Sequence, residues 1–229
     1  MKLPLSDRLL ACAGFVRPGD RVADVGCDHG YLSIHLLTNG IASAVIASDI
    51  NEGPLQSAMR NARKFGVADK MTFYLSDGVR NIPREFDVLV CAGMGGDTMI
   101  HILESAPWLR SSQYRLILQC QSKTPMLRQY LSEQGWNIAR ETVLRDGRFL
   151  YTIMEVIWNP GCEKLTLGQQ YFSPALLQDT SKDVPAYYRY VTEGLRITTA
   201  HQDIPEKKQA LEELTALAEK HSWLKEETK

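Results

Sequence analysis

Apolar positions along the chain fall into two alternating patterns. Val22-Ala23 with Val25, Ala44 to Ala47, Met71 to Leu75, Phe86 to Ala92 and Arg115 to Gln119 are short, nearly continuous apolar runs. Turn or acidic residues bound them, in Pro18-Gly19-Asp20, Ser48-Asp49, Ser76-Asp77-Gly78 and Gly93-Met94-Gly95-Gly96. Such runs predict strands buried on both faces. Between them lie helical stretches. Tyr31 to Thr38 can end at Asn39-Gly40, Glu52 to Phe65 can be capped by Gly66, and Asp97 to Ser105 and Pro125 to Gln134 follow. Leu5 to Val16 predicts an opening helix, with Leu5, Leu9, Leu10 and Ala13 on its apolar face and Ser6 or Asp7 near its start. Repeated strand–helix units imply a parallel sheet covered on both faces.

The end of the sheet differs. Asn137 to Leu144 and Phe149 to Trp158 are two β-rich runs joined through Arg145-Asp146-Gly147-Arg148. Asp-Gly between such runs signals an antiparallel hairpin, here expected as a type I′ turn with φ > 0 at both central positions. After Asn159-Pro160-Gly161 no strand of comparable strength follows. Tyr187, Val191, Leu195 and Thr198 form one helical stripe, and Leu211, Leu214, Leu217, Ala218, His221 and Leu224 a second, broken around Pro205. The chain thus divides into residues 1–159 and a helical hairpin over 160–229. That hairpin is too short to bury much alone, so it docks on the first part, pairs with itself or grips a substrate.

Totals narrow the class. The chain has 229 residues, 44% hydrophobic and 23% charged, as expected of a globular domain with an appendage. No apolar run approaches the roughly 20 residues of a membrane span, and Met1-Lys2-Leu3-Pro4 opens no signal peptide. Cys12, Cys27, Cys91, Cys120 and Cys162 include no C-x-x-C pair, which argues against zinc and a disulfide framework and for a reducing cytoplasm. The formal net charge of −1 means that a nucleic-acid partner needs a local basic patch.

The candidate chemistry starts at Arg21-Val22-Ala23-Asp24-Val25-Gly26-Cys27-Asp28-His29-Gly30-Tyr31. Strand, glycine loop and helix together are expected to offer free N–H groups at a helix N-terminus. A dinucleotide loop admits a pyrophosphate to that backbone. Asp28 inside this loop and Asp24 before it would repel one. They suit a ligand carrying an ammonium and a sulfonium, a description that S-adenosylmethionine meets; a purely structural strand–turn–helix is the alternative.

In open α/β sheets, ligands sit beyond the carboxyl ends of the strands. Asp49 ends the second strand, where an acid can accept from ribose hydroxyls, and Asp77 with Gly78 ends the third, placed for an adenine amine. Each alone could be a turn or cap residue. Gly93-Met94-Gly95-Gly96 ends the fourth strand and could bring a planar substrate close to the backbone, or form a plain tight turn. His29 could line the pocket. Cys27 and Cys91 read as packed thiols. Arg60, Arg63 and Lys64 share one helical surface that could hold phosphates or face solvent.

With these residues assembled, the chain resembles the bacterial TrmK family, tRNA (adenine-N1)-methyltransferases acting at position 22. The resemblance rests on Leu5-Ser6-Asp7-Arg8-Leu9, Asp24 to Tyr31, Ala47-Ser48-Asp49, Ser76-Asp77-Gly78 and Ala92-Gly93-Met94-Gly95-Gly96. It implies a Rossmann-like class I methyltransferase sheet plus a coiled-coil-like substrate-binding part. It further implies S-adenosylmethionine held by Asp24, Gly26, Asp28, His29, Gly30, Asp49, Asp77, Gly78 and Gly93. Transfer to adenine N1 is then expected beside Gly93, Met94 and Gly95, with Asp7 facing the developing charge and Arg8 a phosphate. The implied partner is tRNA, with no membrane and no metal, and the protein is expected to be a monomer. A nicotinamide-dependent oxidoreductase and an inactive methyltransferase-fold adaptor are the rival readings. Asp28 and the terminal hairpin speak against the first, and the acids at 24, 49 and 77 against the second.

Overall fold

The computed structural model describes residues 3–225, with the side chain of residue 225 left out. Its strands are β1 (Arg21–Val25), β2 (Ala44–Asp49), β3 (Met71–Leu75), β4 (Val88–Gly95), β5 (Arg115–Ser122), β6 (Trp136–Asp146) and β7 (Phe149–Trp158). They form one sheet in the order β3-β2-β1-β4-β5-β7-β6. β1 to β5 pair in parallel, and β7 lies antiparallel to both β5 and β6. The sheet therefore has the parallel body and terminal hairpin expected from the sequence.

The helices α1 (Asp7–Ala13), α2 (Tyr31–Thr38) and α3 (Glu52–Lys64) cover one face, where Cys12, Ile34, Leu36 and Ala58 are fully buried. The helices α4 (Gly96–Glu104) and α5 (Thr124–Glu133) cover the other, around Met99, Leu127 and Leu131. α1 is shorter than the expected Leu5 to Val16. Ser6 stands outside it as N-cap, its hydroxyl accepting from Leu9 N at 3.3 Å, and Gly14 closes it.

The hairpin turn differs from the expected type. Strand pairing reaches Asp146 opposite Phe149, so the two loop residues are Gly147 and Arg148, and of the turn only Gly147 has positive φ (59°). Glycine first with an ordinary residue second gives the φ signs of a type II′ turn. Asp146 stays in the strand because its backbone pairing outweighs its turn preference.

Residues after Pro160 form α6 (Leu167–Tyr171), α7 (Val184–His201) and α8 (Pro205–Lys220). Of the three options for the helical part, the structure shows docking. Arg128 of α5 is fully buried and donates to Glu141 on β6 at 2.6 Å, to the carbonyls of Gln170 and Tyr171, and to Tyr187 Oη on α7 at 3.3 Å. Ser173 adds a 2.5 Å hydrogen bond to the other Glu141 oxygen. A buried, fully engaged ion pair fixes the relative position of the elements it joins. Val143 of β6 lies in the same apolar cluster as Tyr187, Leu195, Leu214 and Ala218. α6 and the short 3₁₀ turn Pro174–Gln178 were not evident as periodic runs; each is too brief to show a stripe.

Candidate active site

β1 is the point at which strand order reverses, since β2 lies on one side of it and β4 on the other. A cleft of about 300 Å³ opens there, as the rule for open α/β sheets requires. Asp24, Gly26, Cys27, Asp28 and His29 line it from the β1 end and the loop, Tyr31 and Leu32 from α2, Arg8 and Leu9 from α1, and Ala92, Gly93 and Gln121 from β4 and β5.

The loop is held internally. Gly26 N and Cys27 N both donate to the Ser48 carbonyl (2.8 and 2.9 Å), Asp28 N to Asp49 Oδ2 (3.1 Å), and Gly30 N to the Cys27 carbonyl (2.7 Å). These four N–H groups are satisfied within the protein, and the helix N-terminus begins after them, at Tyr31. A pyrophosphate approaching the loop would meet the Asp24 and Asp28 carboxylates. Asp24 is buried and accepts from Ser33 Oγ at 2.6 Å. Burial pushes its carboxyl up to about 6, with Ser33 opposing the rise and the Asp49 charge adding to it. Asp28 takes a positive φ of 50°, stands exposed, and has a carboxylate oxygen 3.6 Å from His29 Nε2. The polar lining on this wall favours a cation.

The opposite wall rests on two strand irregularities. Ala92 pairs with Gln119, Met94 with Cys120 and Gly95 with Ser122, so Gly93 on β4 and Gln121 on β5 are each bulged out of register. Both line the cleft, in keeping with bulges that redirect a strand end toward a site. Gly93 has φ +82°, and a Cβ there would lie 3.0 Å from the Arg8 guanidinium. Gln119, fully buried, ties this wall together: its Oε1 accepts from Arg8 Nη1 at 2.5 Å and from Gly93 N at 2.9 Å. The Arg8 guanidinium also lies 5.9 Å from the centre of the Tyr151 ring.

Residues 5–154 match the model of a methyltransferase domain. The tRNA (adenine(22)-N(1))-methyltransferase of Bacillus subtilis is 33% identical over 154 residues, which are 67% of this chain and 65% of that protein, a little under two thirds of its length. The solved structure of Streptococcus pneumoniae Sp1610 in complex with S-adenosyl-L-methionine is 32% identical with a TM-score of 0.81, over 92% of this chain and 99% of that one. The crystal structure of the Bacillus subtilis m1A22 tRNA methyltransferase TrmK is 26% identical with a TM-score of 0.72, over 98% and 100%. The chain belongs to the TrmK family of methyltransferases.

In this TrmK-family chain, Asp24, Gly26, Asp28, His29, Gly93 and Arg8 come together around one cleft. Asp49 braces it from behind, its two oxygens accepting from Asp28 N and Asn51 N. Other expected residues do not line it. Asp7 is exposed in the first turn of α1. A Cβ at Gly30 would touch Ala58 and one at Gly78 would touch Ile102, so both glycines allow close helix packing. Asp77 is half-exposed and paired with Arg80 at 2.8 Å.

Met94 turns its methyl toward Gly26, and a Cβ at Gly95 would point at Ser122 Oγ. The stretch expected as an open Gly-Met-Gly loop is mostly strand β4, and only Gly93 reaches the cleft. Arg60, Arg63 and Lys64 are exposed on α3. That helix flanks the loop through a 3.0 Å hydrogen bond from Asn61 Nδ2 to the His29 carbonyl. Cys27 and Cys91 are packed thiols as expected, and burial pushes Cys91 up to about 12.

Gln119, Gln121 and Tyr31 were missed. The polar Gln-Cys-Gln at the end of an apolar strand was the signal, visible once the strand-end rule is applied to β5 as it was to the others. Among the described residues, no helix is long and apolar enough to cross a membrane, and no group of three or more His, Cys, Asp or Glu could hold a metal.

Proposed function

We propose that this chain is an S-adenosylmethionine-dependent tRNA methyltransferase acting on N1 of adenine 22. One observation carries the reading: at the switch point, a loop with satisfied N–H groups presents the Asp24 and Asp28 carboxylates opposite a bulged Gly93. That combination fits a cationic donor on one side and a planar acceptor on the other. The name of the Bacillus subtilis relative supports the choice of acceptor, and the ligand of the Streptococcus pneumoniae structure supports the donor.

Asp24, Gly26, Asp28 and His29 would hold the donor, with Asp49 fixing the loop. Bound there, S-adenosylmethionine supplies an electrophilic methyl on a sulfonium. Adenine N1 keeps its lone pair at neutral pH, so the chain needs no general base to create the nucleophile. Its task is to orient the base and exclude water. The acceptor leaves its stack to reach the cleft. Gly93, without a Cβ, lets the Arg8 guanidinium lie close to the backbone of this wall, where Arg8, held by Gln119, would hold the phosphate. Asp24 and Asp28, which line the cleft, would offset positive charge on the methylated base in place of Asp7, which stands exposed on α1.

We assign methyl transfer to residues 1–159 and substrate binding to residues 160–229, in a cytoplasmic monomer. Asp28 in the loop and the antiparallel end of the sheet weigh against a nicotinamide-dependent oxidoreductase. The test is to incubate the protein with unmodified tRNA and donor, digest the RNA and separate the nucleosides against standards. N1-methyladenosine, converting to the N6 isomer in alkali, is expected. N6-methyladenosine alone before alkali, or methylated protein in place of RNA, overturns the assignment.

A further inference from the structure

A second cavity, of about 320 Å³, lies between the β5 end and helix α7. Gln121 lines both this cavity and the donor cleft, so the two are neighbours across one side chain. Thr152 of β7 lines the cavity and is only 2% exposed, and its Oγ1 has no hydrogen-bond partner. Buried hydroxyls are nearly always bonded; the orphaned Thr152 hydroxyl is shut off from solvent but belongs to a residue lining the cavity, so a rotation about its χ1 would offer it to a polar ligand. Tyr190 of α7, a residue 68% exposed, lines the same cavity. The N-terminus of the ten-residue helix α5 and Lys207 stand at the rim, with Lys123 paired there to Asp97.

An exposed aromatic face, an unpartnered hydroxyl and a helix N-terminus beside a lysine are what one nucleotide needs: stacking for the base, a bond to its edge, and compensation for its phosphate. The volume falls at the low end of small-ligand sites, roughly 300–1,000 Å³. We propose that this cavity holds the nucleotide flanking the target adenosine, the RNA strand passing over Gln121 from one cavity to the other. The proposal rests on the RNA-methylating reading above and adds a base-holding subsite shared by the sheet and the C-terminal helices.

Gly194 supplies the test. It sits inside α7 and lines the cavity, its φ is not in the left-handed region, and a Cβ there meets nothing within 4 Å. Gly194→Leu therefore starts a side chain at the cavity wall from a Cβ that meets no protein atom, and improves helix propensity. Full-length wild type, Gly194→Leu and Tyr190→Ala are compared at one salt concentration. Binding is measured with unmodified tRNA and with the same tRNA made abasic on either side of the target, together with donor affinity, melting temperature and sedimentation mass.

Each variant should weaken tRNA binding at least about tenfold, the loss of one stacked base. Donor affinity should not change, and melting of Gly194→Leu should be unchanged or raised. One flanking abasic site should weaken the wild type by a similar factor and cost Gly194→Leu little more, because both remove the same contact. Wild-type tRNA affinity in both variants, with N1-methyladenosine still formed, overturns the subsite alone. Altered sedimentation mass with unchanged tRNA affinity also overturns it and assigns the cavity to a contact between copies. A wild type that forms no N1-methyladenosine overturns the functional reading, and the subsite with it.

Discussion

Gln119 should be a positioning residue for methyl transfer. Its side-chain oxygen is the shared acceptor for Arg8 (2.5 Å) and for the bulged Gly93 N–H (2.9 Å), and no part of it is exposed. Gln119→Leu keeps the bulk and removes the acceptor. A donor left without its partner costs about 1–3 kcal/mol, and a hydrogen bond to a charged group contributes about 1.5–3 kcal/mol. Part of that loss can relax, since Arg8 can turn toward solvent. If roughly 2 kcal/mol is lost from the reacting geometry, turnover falls about thirtyfold. Donor affinity should stay within about twofold, because Gln119 does not line the donor wall.

Gln119→Glu restores an acceptor for both donors and should recover most of the turnover. Single-turnover methylation of tRNA at saturating donor measures the effect, with calorimetric donor binding and a melting curve alongside. Wild-type turnover in the leucine variant would refute the positioning role. A glutamate variant as slow as the leucine variant would do the same, since bulk rather than hydrogen bonding would then be at stake.

Three further predictions use the same geometry. The Asp24 carboxyl is raised to about 6, so its ionisation removes stability as pH rises from its ordinary range near 3.8 to about 6, and the penalty is full above that. A cationic donor needs the ionised form, so its affinity should rise roughly tenfold from pH 5 to pH 7 and then level off; an equally steep profile in Asp24→Asn, with His29→Gln as a control for the adjacent imidazole, would assign the titration elsewhere. Gly93→Ala forces a side chain onto a φ of +82° and against Arg8, so turnover should fall by about tenfold or more, and an alanine variant as fast as wild type would mean that the bulge does not face the acceptor. Arg128→Ala leaves Glu141 charged and buried and should cost about 3–5 kcal/mol in chemical denaturation; a loss below ~1 kcal/mol would show that this pair does not anchor the C-terminal helices.

Sequence patterns were most informative where they reflect backbone periodicity. Apolar runs and their bounding turns sufficed for the parallel sheet, the hairpin and the two long C-terminal helices, because each buries a continuous face. Strand ends located Asp24, Gly26, Asp28 and Gly93 at one cleft. What stayed hidden depends on register and long-range pairing. No local signal says that β4 continues to Gly95, or that Gly93 and Gln121 slip out of register together. The Gly-Met-Gly-Gly stretch was taken for a loop because glycines mark turns, whereas here Gly95 makes room for the Ser122 hydroxyl and Gly96 for the Ser122 and Lys123 carbonyls. Docking of the helical part was one of three options from sequence. The Arg128–Glu141–Tyr187 cluster joins residues far apart in the chain, and no spacing could foretell it. Asp7 was assigned from the family resemblance and Asp77 from its place after the third strand, and neither is among the residues lining the cleft.

The central claim is methyl transfer to N1 of adenine 22, and position-resolved primer extension tests it most directly. A methyl on the Watson–Crick edge blocks base pairing, so a primer extended on tRNA treated with protein and donor should stop one nucleotide before position 22. The stop should vanish when donor is omitted, and a transcript carrying guanine at 22 should show neither a stop nor methyl incorporation. Full extension through position 22 on a treated transcript that has taken up methyl, or an undiminished stop on the guanine transcript, would contradict the account.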